Sequence, residues 1–249
     1  MSLKHTVKNA LLRYGYSVRR VPTGDLTGHD PFQDMRRLTS SDRPVVFDVG
    51  ANTGQSVQQF RKYFRNLEIH SFEPGEKAFQ VLTKNTHGIE GVHVLNTGMG
   101  AVRGVKTFVE NDLSDMSSFL EPGEDAWGSV ARRSVVQLDT VDDYCSRGGI
   151  GHIDILKSDT QGYDLEVLRG ASNLLREKRI DLVYIEVTFS KMYQGSPRFD
   201  DVYAFLADHG MILVSFYDMH YQHGLLSWTD VLFRVNRPHQ GAFGNTGSA

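Results

Sequence analysis

From residue 44 onward, short apolar and β-branched runs alternate with segments whose apolar residues recur every three or four positions. The runs Val45–Val49, Ile69–Phe72, Val92–Leu95, Ile153–Ser158, Leu182–Val187, Met211–Phe216 and Val231–Val235 have strand length and predict seven strands. Between them, Val57, Phe60 and Phe64 fall at i, i+3 and i+7 of a helix. Val202, Phe205, Leu206 and His209 share another helical face, and Gly210 stops it as a C-terminal glycine does. Alternation of strand and helix predicts an α/β fold: a mainly parallel sheet covered by helices on both faces. Such sheets take ligands at the carboxyl ends of their strands, so polar residues directly after apolar runs are the functional candidates.

The rhythm fails between about residues 98 and 140. Extended pieces at Val105–Val109, Met116–Phe119 and Ser134–Leu138, then a short helix at Thr140–Tyr144, read as a β-rich insertion. An insertion at this rim either walls a substrate site or merely elaborates the surface. Residues 1–40 read as an N-terminal helical extension, with Val7, Leu11 and Tyr14 on one helical face. Residues 41–237 read as the main domain, and the Gly-, Ser- and Asn-rich 238–249 as a flexible tail.

Composition narrows the classes. The 249 residues suit one elaborated α/β domain, and 27 Lys+Arg against 30 Asp+Glu leave a net charge of −3. That balance offers no basic surface for nucleic acid. The basic lead-in (Lys4, Lys8, Arg13, Arg19, Arg20) lacks the apolar core of a secretory signal. No apolar run reaches the roughly 18–20 residues that span a membrane. One cysteine, Cys145, excludes an internal disulfide and agrees with a cytoplasmic protein.

The candidate chemistry begins at Val45–Ser56, VVFDVGANTGQS. A phosphate-binding P-loop needs lysine after its second glycine, and Gly54 is followed by Gln55. A dinucleotide fingerprint needs a glycine where Asn52 stands, because its backbone must approach a pyrophosphate. S-adenosylmethionine, a nucleoside bearing a sulfonium and an amino-acid end, needs neither. Asp48 suits its ammonium, while the turn Gly50-Ala51-Asn52-Thr53-Gly54 suits the methionine portion. Glu73, ending the next strand before Pro74, stands where an acid accepts from ribose hydroxyls in Rossmann-type sites.

At this point the chain resembles the FkbM-type S-adenosylmethionine-dependent methyltransferases. FDVGANTGQSV, HSFEPGEKAFQVLTKN, LNTGMG (with Thr97), Ser117-Ser118, VVQLDTVDDYC, IDILKSDTQGYDLEVLRGA and LVYIEVTF follow in that order from about Pro44 to Val235. LLRYGYSVRRVP is similar to the basic lead-in of bacterial members. The resemblance implies a Rossmann-like class I methyltransferase fold whose seven-stranded sheet ends in an antiparallel strand. It implies S-adenosylmethionine as cofactor and S-adenosylhomocysteine as product, bound through Asp48, Gly50, Asn52, Thr53, Gly54, Glu73, Pro74, Thr97 and Asp159. The family often carries Glu where this chain has Gln161, so no carboxylate role is carried over to that position.

Transfer to an alcohol needs alignment and a group that takes the acceptor proton. Asp159, ending the fourth main strand, Lys157 two residues earlier, and Glu186 late in the fifth are the candidates. Asp218, His220 and His223 are expected in a loop after the sixth strand, with His220 a further catalytic candidate. A divalent ion shared by Asp159, Glu186 and a loop acid is not favoured, since no compact His/Asp ligand cluster is legible. Tyr163 and Trp127 either stack on a ligand ring or pack in the core.

The leading expectation is an O-methyltransferase acting on a sugar, glycolipid or other secondary metabolite. Asp159-Thr160-Gln161-Gly162 stands where nucleobase amino-methyltransferases carry Asn/Asp-Pro-Pro-aromatic. The alternatives are N- or carboxyl-methylation of a small molecule, a nicotinamide-dependent oxidoreductase, and a non-catalytic cofactor-binding module. The expected partners are a small-molecule or glycan acceptor and a second copy of the chain, paired through the extension or the insertion.

Overall fold

A computed structural model describes residues 3–14 and 26–237. Arg19, Arg20 and the tail 238–249 lie outside the described residues. The order is α1 (Leu3–Arg13), α2 (Pro31–Leu38), β1 (Val45–Val49), α3 (Gln55–Tyr63), β2 (Glu68–Phe72), α4 (Glu76–Thr86) and β3 (Val92–Leu95). Then come β4 (Gly98–Met99), β5 (Gly104–Asn111), a 3₁₀ turn (Ser114–Met116), β6 (Val130–Asp139), α5 (Val141–Gly148) and β7 (Ile153–Ser158). The chain continues through α6 (Asp164–Arg169), α7 (Ser172–Arg176), β8 (Ile180–Thr188), α8 (Phe199–Asp208), β9 (Met211–Gln222) and β10 (Leu225–Val235).

The main sheet has seven strands in the order β3-β2-β1-β7-β8-β10-β9. β10 runs antiparallel to both β8 and β9, and the other pairings are parallel. The class I order with its antiparallel last strand is therefore present. The order reverses between β1 and β7, which places the crevice at their carboxyl ends. Helices cover both faces. Phe47, Phe72, Leu156, Val183 and Phe233 are fully buried in one core, and Val46, Phe60, Ile69, Ile155 and Leu232 in the other. Each such side chain contributes about 1.5–3 kcal/mol over exposure. Met35, on the helix α2, is equally buried in the second core, so the last part of the N-terminal segment packs on the sheet.

The insertion is a separate three-stranded sheet in the order β4-β6-β5, pinned by a third apolar cluster of Phe108, Phe119, Leu138 and Tyr163. Tyr163 is thus a core aromatic, 5.0 Å from Phe119 between ring centroids. Met116–Phe119, expected as a strand, is instead the end of a 3₁₀ turn followed by a single bridge, Val109 to Ser118. The turn forms because Ser117 Oγ accepts from Asn111 N, bending the chain back before Phe119 can enter the cluster.

One further expectation needs correction. The sixth main strand does not stop at Phe216: β9 runs to Gln222 and forms a long hairpin with β10. Asp218 and His220 are therefore strand residues, and His223 sits at the hairpin turn. Of the N-terminal helical face, Val7 and Tyr14 are exposed and Leu11 is partly buried. No described helix is long and apolar enough to cross a membrane.

Candidate active site

The carboxyl ends of β1 and β7 are drawn together by one tight contact. Asp159 N donates to Val49 O at 3.0 Å, and Gly50 (φ +77°) passes directly over the Asp159 carbonyl. A Cβ on Gly50 would lie 2.0 Å from that oxygen, so only glycine fits. Beneath this crossing Asp48 and Lys157, paired across the β1–β7 register, form a buried ion pair with Lys157 Nζ 3.1 Å from Asp48 Oδ1. Lys157 Nζ also lies 3.6 Å from Asp159 Oδ2. Burial alone would lower the lysine pKa, but Asp48 and Asp159 outweigh it and hold the ammonium above its ordinary value. Among the described residues, Asp48 Oδ2 has no hydrogen-bond donor.

Above the crossing is a cavity lined on one side by Gly50, Asn52, Glu73, Pro74, Asp159 and Gln161. Glu73 Oε2 accepts from Asn52 N at 2.9 Å and Oε1 from Gly75 N at 2.7 Å, so the β2 acid is tied to the glycine turn. Burial pushes Glu73 up to about 7 even though both amides oppose it. Asn52 holds a positive φ of 45°, and its buried Oδ1 has no partner among the described residues. Asn96 Nδ2 donates to the Glu73 and Pro74 carbonyls at 2.9 and 3.1 Å, fixing the exit of β2. The opposite wall comes from the insertion: Phe108, Ser114, Asp115, Ser117 and Phe119. The insertion therefore lines the cavity rather than lying wholly on the surface.

One cluster extends from the cavity along the sheet. Gln161, held at φ +55°, donates through Nε2 to Asp159 Oδ1 at 2.9 Å and to Glu186 Oε1 at 3.2 Å. Its Oε1 accepts from Tyr193 Oη at 2.7 Å, and Ser118 Oγ donates to its main-chain carbonyl at 2.8 Å. Burial, then the neighbouring Asp159 and Asp230, raise the Glu186 carboxyl well above its usual value. Asp230, opposite Glu186 on β10, is pushed up to about 6 by burial although Tyr184 Oη donates to it at 2.6 Å. Carboxyl groups this crowded and desolvated mark a site suited to proton transfer.

The remaining candidates fall differently. Thr53 and Gly54 lie just beyond the cavity, where Gly54 caps α3. Thr97 donates to the Gln137 carbonyl at 3.1 Å, tying β3 to the insertion. His220 does not line the cavity; its exposed ring stacks on Trp228 at 4.6 Å, and Trp127 meets Trp228 edge-on at 5.2 Å. The sequence reading missed Asn96, Asp115, Asp230 and Tyr193, and also the bridging role of Gln161. Asp230 had one signal, an acid directly before the apolar run Val231–Phe233.

The strand order, the glycine crossing at β1–β7 and the acid ending β2 define an S-adenosylmethionine-dependent class I methyltransferase. The Methyltransferase FkbM domain matches residues 48–213, and the chain belongs to that family. The 2-O-methyltransferase NoeI of Sinorhizobium fredii is 24% identical over 203 residues, covering 76% of this chain and 80% of that protein. The hexuronic acid methyltransferase AglP of Haloferax volcanii is 25% identical over 167 residues, covering 66% of this chain and 64% of that protein. An rRNA methylase structure from Streptococcus thermophilus superposes with a TM-score of 0.48 at 11% identity, covering 83% of this chain and 94% of that one.

Proposed function

We propose that the protein transfers the methyl group of S-adenosylmethionine to a hydroxyl of a sugar, glycolipid or related secondary metabolite. The observation that carries this reading is the Asp159–Gln161–Glu186 array beside the cavity. An alcohol needs a group to take its proton, and within this array Asp159 presents a carboxylate to the cavity. NoeI, a 2-O-methyltransferase, supports transfer to oxygen, and AglP, a hexuronic acid methyltransferase, supports a sugar acceptor.

The residues around the cavity fit the cofactor. Gly50 lacks the Cβ that would close the crossing. Asn52 Oδ1 and Asp48 Oδ2 are buried without donors among the described residues, and Glu73 is placed to accept from vicinal ribose hydroxyls. When bound, the cofactor supplies a methyl carbon already activated by its sulfonium. Asp159, whose side chain is 41% exposed toward the cavity while Lys157 is shut away, takes the acceptor proton. Gln161 holds that carboxylate in place, with Glu186 and Tyr193 fixing the amide in turn. Lys157 secures Asp48 and Asp159 from below. The Trp127–Trp228–His220 cluster follows Glu186 outward along the sheet, since Asp230 pairs with Glu186 and Trp228 with Thr188. It offers the apolar face of a sugar ring an aromatic surface.

The test is incubation with methyl-labelled S-adenosylmethionine and separated glycan, glycolipid and metabolite fractions, followed by mild alkali. An alkali-stable label in a glycan or glycolipid fraction is the expected result. Label released by alkali would mean carboxyl methylation, and label on an amine would mean N-methylation; either overturns the O-methyl reading. Stabilisation by NAD and none by S-adenosylhomocysteine would contradict the methyl-donor site itself.

A further inference from the structure

Away from the cavity, at the opening end of β2, three ligand-bearing side chains converge. Glu68 and His70 are two residues apart on β2 and share a face. His93 lies directly opposite His70 in the parallel β2–β3 register. His70 Nε2 is 3.5 Å from Glu68 Oε1, and His93 Nε2 is 3.7 Å from the same oxygen. The ligand atoms of all three fall within 4.8 Å of one another. Zinc–ligand bonds of about 2.0–2.2 Å in a tetrahedron put neighbouring ligand atoms roughly 3.3–3.6 Å apart. The two Glu68–histidine separations match that spacing to within a few tenths of an ångström, and the two histidine nitrogens lie within 4.8 Å of each other.

The outward-facing atoms of the trio are already engaged elsewhere. His70 Nδ1 is 2.9 Å from Tyr144 Oη; with Nδ1 as the donor, this is the outer contact that orients a metal-binding imidazole and leaves Nε2 to bind. Glu68 Oε2 lies 3.3 Å from the Arg43 guanidinium, leaving Oε1 turned to the histidines. His70 is 6% exposed, and its Nε2 is buried with no hydrogen-bond partner among the described residues. A buried imidazole nitrogen left so is costly, by about 1–3 kcal/mol. His93 is half exposed, which lets its stacked ring turn toward a shared ion.

We propose that Glu68, His70 and His93 bind a divalent transition ion of the zinc type through Glu68 Oε1 and the two Nε2 atoms, with a fourth position open to solvent. Two imidazoles and one carboxylate suit zinc and its neighbours better than magnesium or calcium. The ion fastens the edge strand β3 to β2. Glu68 and Glu73 stand at opposite ends of β2, about 16 Å apart along the strand. The site is therefore separate from methyl transfer.

The protein is freed of metal with a chelator and titrated with Zn(II) by calorimetry, and with Co(II) by visible absorption. One saturable equivalent, a higher melting temperature with Zn(II) but not Mg(II), and the intense bands of four-coordinate Co(II) are expected. His93→Ala and Glu68→Gln, whose side chains lie at the surface, each weaken Zn(II) binding by about tenfold or more. His152→Ala, in a second His–acid trio with Asp154 and Asp181, leaves it unchanged. No saturable Zn(II) binding would overturn the site. So would unaltered affinity in both the His93 and the Glu68 variant, or a loss confined to His152→Ala.

Discussion

Lys157 and Asp48 form an ion pair at 3.1 Å beneath the glycine turn, with Asp48 wholly buried and Lys157 nearly so. Removing one partner strands the other charge out of water, a change that typically costs about 3–5 kcal/mol. Asp48→Ala is therefore expected to lower the melting temperature of the cofactor-free protein sharply, as well as weaken S-adenosylhomocysteine binding. Lys157→Met, which leaves Asp48 and Asp159 facing each other without a cation, is expected to cost a comparable amount. Thermal melts of both variants check this; a melting point within a degree or two of the parent in either would mean that the pair contributes little.

Gly50 makes a sharper demand. Its φ of +77° already disfavours a side chain by about 1–2 kcal/mol, and a Cβ would meet the Asp159 carbonyl oxygen at 2.0 Å. Gly50→Ala must push β1 and β7 apart at the carboxyl ends that form the site. We expect loss of S-adenosylhomocysteine binding together with lower stability, read by calorimetry and denaturant unfolding. Binding equal to the parent would show that the crossing yields more easily than its geometry suggests.

How much of this was legible before folding depends on where each signal lay. Val45–Val49 and Ile153–Ser158 are short, mainly apolar and bounded by turns, so both central strands could be read directly, with Asp48 late in the first and Asp159 directly after the second. Glu73 was legible because a strand, an acid and a proline follow one another without interruption. The end of β9 was not, since Asp218, His220 and Gln222 break the apolar pattern; the pairing with β10 holds the strand together instead. Met116–Phe119 misled because its apolar ends imitate a strand, whereas the hydroxyl of Ser117 turns the chain. The bridge from Gln161 to Glu186 joins the turn after β7 to β8, residues 25 positions apart, and the β7–β8 pairing is what brings them together.

Glu73 couples the site to pH. Its folded value, pushed up to about 7 by burial, exceeds that of an unfolded glutamate, so its contribution to stability is full below about pH 4 and is lost as pH rises toward 7. Ligand binding runs the other way, because ribose hydroxyls need the ionised carboxylate as acceptor. Affinity for S-adenosylhomocysteine should fall up to about tenfold per pH unit as pH drops below 7. Glu73→Gln should weaken binding at pH 8 and flatten that slope. Calorimetry at several pH values measures both, and a slope that survives in Glu73→Gln would assign the proton to another acid.

Gln161 is the last position where one atom changes the electrostatics of the site. Its Nε2 donates to both Asp159 and Glu186, while its Oε1 takes the Tyr193 hydroxyl proton. Gln161→Glu keeps the shape and the Tyr193 contact, but replaces the shared donor with a third carboxyl between two others. Like charges at this distance raise one another's pKa, in a cluster where Glu186 already stands well above its ordinary value. The acids of the variant should hold extra protons when folded, and their stabilising contribution drains away as pH rises through their raised values. Its melting temperature should thus approach that of the parent near pH 5 and fall progressively behind it toward pH 8. With an acceptor identified by the labelling experiment, the acid limb of the rate profile should move to higher pH by about one unit. Parallel melting curves across that range, with an unshifted rate profile, would mean that the Gln161 amide holds neither carboxyl in its working state.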